Sequence, residues 1–412
     1  RRQAMKNRWI ALAIIFMSFL QFTLNWFNIV PTFGSLAPEM QLTLPQVGVI
    51  VGVFIAGYGL AHIPGGMIAE AFGLRFAMLL GIAAETLGAV ATAQAHSYEI
   101  LLAGRFVCGV GGSIYIGSAI GLTMAWFRNH ELATANGLIT GVAFTVGAAI
   151  GIYAWGDVVA MYGWRMALLL GAGVGALTFV ALLFLFPVPP DAGARDIGGA
   201  RLDLAALKRT LGNRDLWILG ISFMGAYGSY FTVASFLPTY AAEHFRLAPQ
   251  VAGSLSVILL VSGIPGGILG GWLADKVFGA IPTIAGAWII VSLALCSIPH
   301  VEFQGLQLAA ATVGCVGMMG FVVWIAMPGF YRGIRIADIP TACGLMLTIV
   351  AVGGVVIPIL YGKITVTYGY PIACASLGLI SFVAGMCIFL VRRPDAGAAK
   401  YSRKVSAGSA IS

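Results

Sequence analysis

Two long apolar runs joined by a short charged loop fill residues 46–95, which read QVGVIVGVFIAGYGLAHIPGGMIAEAFGLRFAMLLGIAAETLGAVATAQA. The runs cover residues 46–69 and 74–95, and each is as long as the roughly 20 residues that a helix needs to cross a bilayer. The loop contributes Glu70, Gly73 and Arg75, residue types that suit a tight turn at a membrane surface. The stretch therefore predicts a helical hairpin that crosses a membrane twice.

The rest of the chain has the same composition. Apolar types make up 59% of the 412 residues and charged types only 9%, whereas a soluble domain carries about 25% charged residues. So few charges cannot cover a water-exposed surface, which excludes a soluble globule, a disordered chain and a secreted disulfide scaffold. The 6 cysteines lie inside apolar runs without metal-site spacing, so we expect no metal site and no cofactor.

Ten further runs resemble the first two, which predicts an all-α integral membrane protein with twelve transmembrane helices. Barrel strands are excluded because they alternate in polarity over about 10 residues, and these runs are longer and continuous. The predicted spans 1 to 12 are residues 9–32, 46–69, 74–95, 98–126, 132–156, 163–187, 215–240, 250–274, 279–299, 304–330, 339–364 and 370–391.

The basic residues predict the orientation of the chain. With both termini in the cytoplasm, most of the 23 Lys and Arg residues fall on the cytoplasmic side, as the positive-inside rule requires. Arg165, Arg246 and Lys363 fall near the outer side, and Arg105 lies within a span. The net charge of +8 is then a topology signal, and we expect no nucleic-acid partner. Short loops favour the inner membrane of a bacterium or archaeon.

The chain divides into two similar halves of six spans. The longest break is a predicted cytoplasmic linker at 188–214, between an N-terminal bundle (1–187) and a C-terminal bundle (215–393), with a cytoplasmic tail at 394–412. Tyr162-Gly163 matches Tyr368-Gly369, and other matches follow at a shift of about 205–208 residues. Six spans return the chain to its starting side, so the repeats are parallel. Such halves can rock about a mid-membrane site, which favours a transporter over a channel.

Two short motifs stand at the ends of spans. The loop from Gly66 to Arg75 follows the pattern Gly-x-x-x-Glu-x-x-Gly-x-Arg, and a second copy keeps Asp275 and Lys276. Span 4 carries Arg105-Phe-Val-Cys-Gly-Val-Gly. The carboxylate and the basic residue of the loop can latch helix ends together, although a plain tight loop with solvated charges is the alternative.

With these motifs the chain resembles the major facilitator superfamily over essentially its whole length. That family has a Gly-x-x-x-Asp-x-x-Gly loop followed by basic residues, from which this chain departs by Glu70 and by its single arginine. The resemblance implies two parallel six-helix repeats in a carrier that works by alternating access, and we expect a monomer in the lipid bilayer. The implied gating residues are Gly66, Glu70, Gly73, Arg75, Asp275 and Lys276.

Basic residues typical of some subfamilies are absent from the sequence. Nitrate carriers of this superfamily resemble one another in that they have arginines within spans 2 and 8. Organic-phosphate exchangers resemble one another in that they have basic residues within spans 1 and 7. Neither set is present here. Span 5 also lacks the Gly-Pro pair usual in drug/proton antiporters, which disfavours drug export without excluding it.

Three ionisable residues fall deep within predicted spans, where charge is costly and therefore points to function. Arg105 is in span 4, Glu85 in span 3 and His62 in span 2. Arg105 stays charged and needs a carboxylate, a carbonyl or an anionic substrate, and Glu85 lies at a similar depth. We predict that Arg105 binds substrate and that Glu85 or His62 carries a proton. The structural alternative is that Arg105 clamps helix ends and Glu85 is a buried hydrogen-bonded group.

Uncharged polar and aromatic residues complete the predicted substrate site, because the resemblance implies that spans 1, 4, 7 and 10 line the cavity. Gln21, Asn25 and Asn28 share one face of span 1, although helix–helix hydrogen bonding is an alternative role for them. The predicted substrate-binding residues are Arg105, Gln21, Asn25, Asn28, Tyr115, Tyr227, Tyr230 and Trp324.

The expected function is secondary transport of a small organic solute. One deep cation suits an organic anion such as a monocarboxylate, with protons as the expected coupling ion. The alternative is a carrier or exporter of neutral or amphipathic compounds. An enzyme is not expected, because the sequence holds no H-E-x-x-H, nucleophile elbow or phosphate loop.

Overall fold

The computed structural model describes residues 2–126, 137–187, 204–331 and 339–392, and these contain helices and turns but no strand. Ten of the described helices are long and apolar enough to cross a membrane, or eleven with the bent pair Leu44–Leu60 and His62–Ala69 as one span. One of them, Gly141–Leu185, covers 45 residues and breaks at Gly163, so it holds two spans. The twelve predicted helices are thereby accounted for.

The spans keep their sequence numbers, and the face of the membrane at which span 1 begins is here named the terminal face. In the first half, span 1 comprises Arg2–Phe27, Val30–Thr32 and Phe33–Glu39; span 2, Leu44–Leu60 and His62–Phe72; span 3, Leu74–Ala93; span 4, Tyr98–Trp126; and span 5, Gly137–Ala143, Phe144–Ala149 and Ile150–Ala154. Helix Trp155–Leu185 contains the end of span 5 and all of span 6, and the short helix Leu204–Leu211 precedes the second half. In the second half, span 7 is Arg214–Phe245; span 8, Pro249–Lys276; span 9, Ala280–Ser297; span 10, Phe303–Ala326; span 11, Ile339–Tyr368; and span 12, Tyr370–Met386.

Four glycines make the same turn in four successive groups of three spans. Gly73, Gly163, Gly279 and Gly369 have φ of 90°, 78°, 82° and 82°, and each lies between the second and third helix of its group. They are spaced by 90 residues within each half (163 − 73 and 369 − 279) and by 206 between halves (279 − 73 and 369 − 163). With ψ between 153° and 170°, this conformation suits glycine alone. The repeat of the sequence is therefore also a repeat of backbone geometry.

We expect Gly163→Ala to lower the free energy of unfolding by about 1–3 kcal/mol. A Cβ on Gly163 meets no atom within 4 Å, so the cost is backbone strain alone. The measurement is the melting temperature of the purified protein in detergent. Gly173→Ala is the control, because Gly173 has the same open surroundings on a regular helix. Equal melting temperatures for the two variants would contradict the assigned strain.

The two halves pack closely along spans 2 and 11. Helix Leu44–Leu60 lies along span 11, and the absence of a side chain at Gly48 lets the Pro358 carbonyl approach to 2.6 Å from where a Cβ would stand. Gly52 is in the same position against Val355, at 2.8 Å from its carbonyl oxygen. Close approach of helices at small residues is the usual way in which membrane helices associate.

Further contacts between the halves lie near the face opposite the terminal face. Phe33 of span 1 stacks on Phe236 of span 7 with ring centroids 6.3 Å apart. Gln250 Nε2, at the start of span 8, donates a hydrogen bond of 3.0 Å to Asp157 Oδ1, at the end of span 5. These contacts join the halves on that side of the membrane.

Toward the terminal face, spans 2 and 5 pack against other helices of the N-terminal half. Span 2 bends by 42° between Leu60 and His62, because Pro64 has no N–H to offer the Leu60 carbonyl. The helix after the bend packs on spans 3 and 4, and the segment Gly137–Ala143 of span 5 packs on span 1. Among the described residues, contacts between the halves therefore concentrate from mid-membrane to the opposite face.

Candidate functional site

A buried polar pair joins spans 1 and 3. Gln21 Nε2 donates a hydrogen bond of 2.6 Å to Glu85 Oε2, and neither side chain is exposed. The backbone carbonyl of Glu85 accepts a bond of 3.3 Å from Cys108 Sγ. Glu85 Oε1 and Gln21 Oε1 have no hydrogen-bond partner in the described part of the chain. A proton or an ordered water is the kind of partner that completes such buried oxygens.

Arg105 clamps the end of the first helix of span 1. Its Nη1 and Nη2 atoms donate to the backbone carbonyls of Asn25, at 3.1 Å, and Trp26, at 3.0 Å. These carbonyls belong to the last turn of Arg2–Phe27, where the helix dipole attracts a cation. The guanidinium also lies over the Phe54 ring, 4.6 Å from its centroid. The geometry matches the structural alternative, and Glu85 bonds to Gln21 instead of pairing directly with Arg105.

The polar face of span 1 points into the N-terminal half. Asn25 Nδ2 donates to the Gly171 carbonyl of span 6 at 3.1 Å, and Asn28 Nδ2 donates to Asn25 Oδ1 at 3.0 Å. Both asparagines are buried, and Gly171 leaves the space that they fill. Because Gln21 on the same face bonds to Glu85 of span 3, the face joins helices of one bundle. Direct contact of these residues with substrate stays a prediction.

Tyr115 and Trp324 hold equivalent places in the two halves. The Tyr115 hydroxyl of span 4 donates to the Ile15 carbonyl of span 1 at 3.2 Å. Trp324 Nε1 of span 10 donates to the Leu219 carbonyl of span 7 at 2.7 Å. Both rings are fully buried, so the first and fourth helices of each half are tied by one aromatic residue. A role for either in substrate binding likewise stays a prediction.

His62 lies directly after the bend of span 2. Its Nδ1 atom is 3.0 Å from Ser113 Oγ of span 4, and its Nε2 atom has no partner among the described residues. The Tyr58 ring, one turn earlier, stands edge-on to the imidazole with centroids 4.6 Å apart. His62 is therefore held at the bend of span 2 between Tyr58 of its own span and Ser113 of span 4.

Five aromatic residues form a layer across the two halves near mid-membrane, here named the central ring layer: Trp26, Tyr58, Tyr227, Tyr230 and Phe231. The rings of Trp26 and Phe231 stack across the interface, with centroids 5.1 Å apart and planes 7° from parallel. Tyr58 lies 5.2 Å from Trp26. Tyr227 and Tyr230 lie 4.7 Å and 5.4 Å from Phe231.

The three tyrosine hydroxyls of the central ring layer are unoccupied by protein groups. In the described part of the chain, none of Tyr58, Tyr227 and Tyr230 makes a hydrogen bond through its hydroxyl, and none of these oxygens is among the sealed, unpartnered buried atoms. Tyr58 and Tyr230 are also partly exposed. Each hydroxyl therefore keeps its capacity to donate and accept a hydrogen bond.

The sequence predicted Tyr227 and Tyr230 but missed Tyr58, Trp26 and Phe231. Tyr58 stands four residues before His62, which is a predicted proton-coupling residue. Helical spacing from His62 was therefore a signal by which Tyr58 could have been found. Nothing in the sequence marks Trp26 or Phe231 among the many aromatic residues of the spans. Their stacking depends on how the two halves dock.

The predicted gating residues are described only in part. Gly73 makes the turn between spans 2 and 3, and Arg75 Nη2 donates to the Leu183 carbonyl at the end of span 6, at 2.8 Å. A Cβ on Gly66 would meet no atom within 4 Å, and Lys276 is exposed. The side chains of Glu70 and Asp275 lie outside the described residues, so a latch through them stays a prediction.

A family model described as Major Facilitator Superfamily matches residues 14–332. This chain belongs to the major facilitator superfamily. It is a multi-pass membrane transport protein for small molecules and not an enzyme, and the resemblance inferred from its two motifs is confirmed.

Several relatives are named as carriers of anions. The "Probable sulfoacetate transporter SauU" of Cupriavidus necator is 26% identical over 410 residues, covering 92% of this chain and 93% of the relative. The "Probable L-galactonate transporter" of Escherichia coli is 20% identical, covering 87% of this chain and 84% of the relative. The "Probable nitrate transporter NarT" of Staphylococcus epidermidis is 21% identical, with coverages of 82% and 85%.

Solved structures share the fold. A bacterial homolog of the human lysosomal transporter Spinster, in an inward-facing and unoccupied conformation, superposes with a TM-score of 0.75 at 15% identity, covering 96% of this chain and 97% of that one. At this identity the likeness concerns the fold alone.

Proposed function

We propose that this protein is a secondary carrier that moves a small organic anion by alternating access and couples that movement to protons. We place it in the cell inner membrane, with the terminal face in the cytoplasm. The observation that carries the proposal is the buried guanidinium of Arg105, which is 3% exposed and is bonded to uncharged carbonyls.

The rings of Phe54 and Trp26 connect the Arg105 guanidinium to the interface between the halves. The guanidinium covers Phe54 at 4.6 Å, and Phe54 lies 4.8 Å from Trp26 of the central ring layer. A charge in a low-dielectric interior acts over such distances far more strongly than it does in water. The potential in the central space is therefore expected to be positive and to favour a solute with one negative charge.

The names of the relatives agree with an organic anion. Galactonate carries one carboxylate and sulfoacetate carries a sulfonate and a carboxylate, each on a short carbon chain, and their named carriers match most of this chain. Inorganic nitrate is a poorer candidate. The nitrate-carrier pattern requires arginines in spans 2 and 8, and these spans hold no Lys or Arg.

Transport by purified protein in liposomes tests the proposal. Uptake of radiolabelled acetate, propionate, methanesulfonate, sulfoacetate and galactonate, and of the neutral compounds methyl acetate and dimethyl sulfone, is measured with and without an imposed pH gradient. We expect saturable uptake of at least one of these anions, increased by a gradient that is acidic on the side of substrate addition. Uptake of neutral analogues alone would overturn the anion assignment.

We expect Glu85→Gln to uncouple transport from protons. Glutamine cannot take up a proton, but it can still bond to Gln21 in place of the carboxyl group. Uptake driven by a pH gradient is expected to fall about tenfold or more, in line with the loss of an essential proton transfer, while exchange of labelled for unlabelled substrate persists. Thr86→Val, next in sequence and also buried with an unpartnered oxygen, is the control. If both modes of transport survive in Glu85→Gln, then Glu85 does not carry the proton.

A carrier of neutral or amphipathic compounds is the second candidate. The central ring layer supports it, because aromatic faces bind apolar solutes without charge. A relative named "Methylenomycin A resistance protein", of Bacillus subtilis, matches 48% of this chain at 23% identity. The uptake panel separates the two candidates through its neutral members.

A further inference from the structure

We propose that Tyr58 and Tyr227 form a two-hydroxyl clamp that binds the acidic head group of the substrate, with one donor from each half of the protein. The ligand class is a carboxylate or sulfonate on a short carbon chain. This inference rests on the proposed function and adds the group that recognises the substrate. It differs from the predicted site, in which Arg105 makes the contact.

The two tyrosines belong to one cluster of rings to which both halves contribute. Tyr58 is on span 2 and contacts Trp26, whereas Tyr227 is on span 7 and contacts Phe231. The Trp26–Phe231 stack joins these two pairs of rings. Gly354 of span 11 gives a second link, since a Cβ there would meet Tyr227 at 3.0 Å and Ile55, one turn before Tyr58, at 2.5 Å.

Hydroxyl chemistry suits an oxyanion at this point. A phenolic O–H donates one hydrogen bond, and bonds to a charged oxygen are stronger than bonds to a neutral one. Both hydroxyls lack a hydrogen-bond partner among the described residues, and Arg105 is already committed to the Asn25 and Trp26 carbonyls. The arginine therefore supplies potential, and the tyrosines supply the direct bonds.

A clamp divided between the halves also links binding to movement. One oxyanion that accepts from both hydroxyls holds spans 2 and 7 together, so it stabilises arrangements in which the halves approach each other. A ligand shifts such an equilibrium only by its difference in affinity between the two arrangements. Two donors on separate halves provide that difference, because both bonds form only when the halves are close.

The experiment measures binding to purified full-length protein by isothermal titration calorimetry. The probes are acetate, propionate, methanesulfonate and sulfoacetate, with methyl acetate and dimethyl sulfone as neutral counterparts. We expect Tyr58→Phe and Tyr227→Phe each to weaken binding of the anions about tenfold or more, and binding of a neutral probe to change less than twofold. Phenylalanine keeps the ring contacts, so the fold should persist, as circular dichroism and melting temperature would verify.

Tyr162→Phe is the matched control, because Tyr162 is 62% exposed and far from the central ring layer. It should bind the anions as the unmodified protein does. Should the unmodified protein bind an anion that both Tyr58→Phe and Tyr227→Phe bind within twofold, the clamp is wrong and the proposed function stands. Binding of the neutral probes alone by the unmodified protein would overturn both.

Discussion

Arg105→Ala is expected to abolish transport and to lower the melting temperature. The substitution leaves the Asn25 and Trp26 carbonyls without a donor inside the N-terminal half, at a cost of about 1–3 kcal/mol for each buried unpartnered group. It also removes the positive charge behind the central ring layer and the contact that fixes Trp26. We expect uptake to fall by about a hundredfold or more, consistent with loss of a charge-assisted site. Liposome uptake and melting in detergent measure the two effects.

Arg165→Ala is the matched control for Arg105→Ala. Arg165 also donates to two backbone carbonyls, those of Ala93 and Ala95, and it pairs with Glu39 at 2.8 Å. It lies at the face opposite the terminal face, and its side chain is 37% exposed, so we expect transport to be retained. Equal loss of transport in both variants would show that Arg105 matters only for stability. Arg105→Lys should recover part of the transport, because lysine keeps the charge but lacks the guanidinium fork.

Gly52→Leu is expected to stop transport while each half stays folded. Its Cβ would stand 2.8 Å from the Val355 carbonyl oxygen and 3.1 Å from the Val355 Cα atom, so spans 2 and 11 must move apart. Because packed helices at an interface do not deform continuously, we expect the halves to separate on the side away from the terminal face. Uptake should fall by about a hundredfold, as overpacking of a close contact costs roughly 1–3 kcal/mol or more.

A pair of introduced cysteines reports the separation. Asp157 and Gln250 bond across the halves at 3.0 Å, so Asp157→Cys with Gln250→Cys should be joined efficiently by a short bifunctional thiol reagent in a background without the native cysteines. Adding Gly52→Leu should reduce that cross-linking. Adding Gly173→Leu instead, where a Cβ meets no atom within 4 Å, should leave it unchanged. Persistent cross-linking with Gly52→Leu would mean that the halves had not moved.

The number of spans was predictable because each one is an apolar run of sufficient length, and that property is local. The exceptions show what length alone does not reveal. Span 2 is two helices because Pro64 removes one backbone donor, and span 1 ends its first helix at Phe27, where Arg105 binds the freed carbonyls. Both breaks lie beside the central ring layer, because Trp26 and Tyr58 belong to the last helical turns before them.

The candidate site was predictable only in part. The cost of burying charge identified Arg105 and Glu85 correctly as deep residues. It did not identify their partners, because a guanidinium can donate hydrogen bonds to backbone carbonyls as well as to a carboxylate. Helical spacing put Gln21, Asn25 and Asn28 on one face of span 1, but spacing does not say which neighbour that face meets. The structure turns it toward spans 3 and 6.

The sequence by itself determined that the chain crosses the membrane about twelve times, in two parallel repeats, because hydropathy and turn glycines act on neighbouring residues. Only the tertiary structure decided that Trp26 meets Phe231 and that Tyr58 and Tyr227 belong to one cluster of rings shared by the two halves. Those contacts join residues about 170–205 positions apart on helices of different halves. They depend on how two packed bundles dock, a relation that no periodicity within a single span encodes.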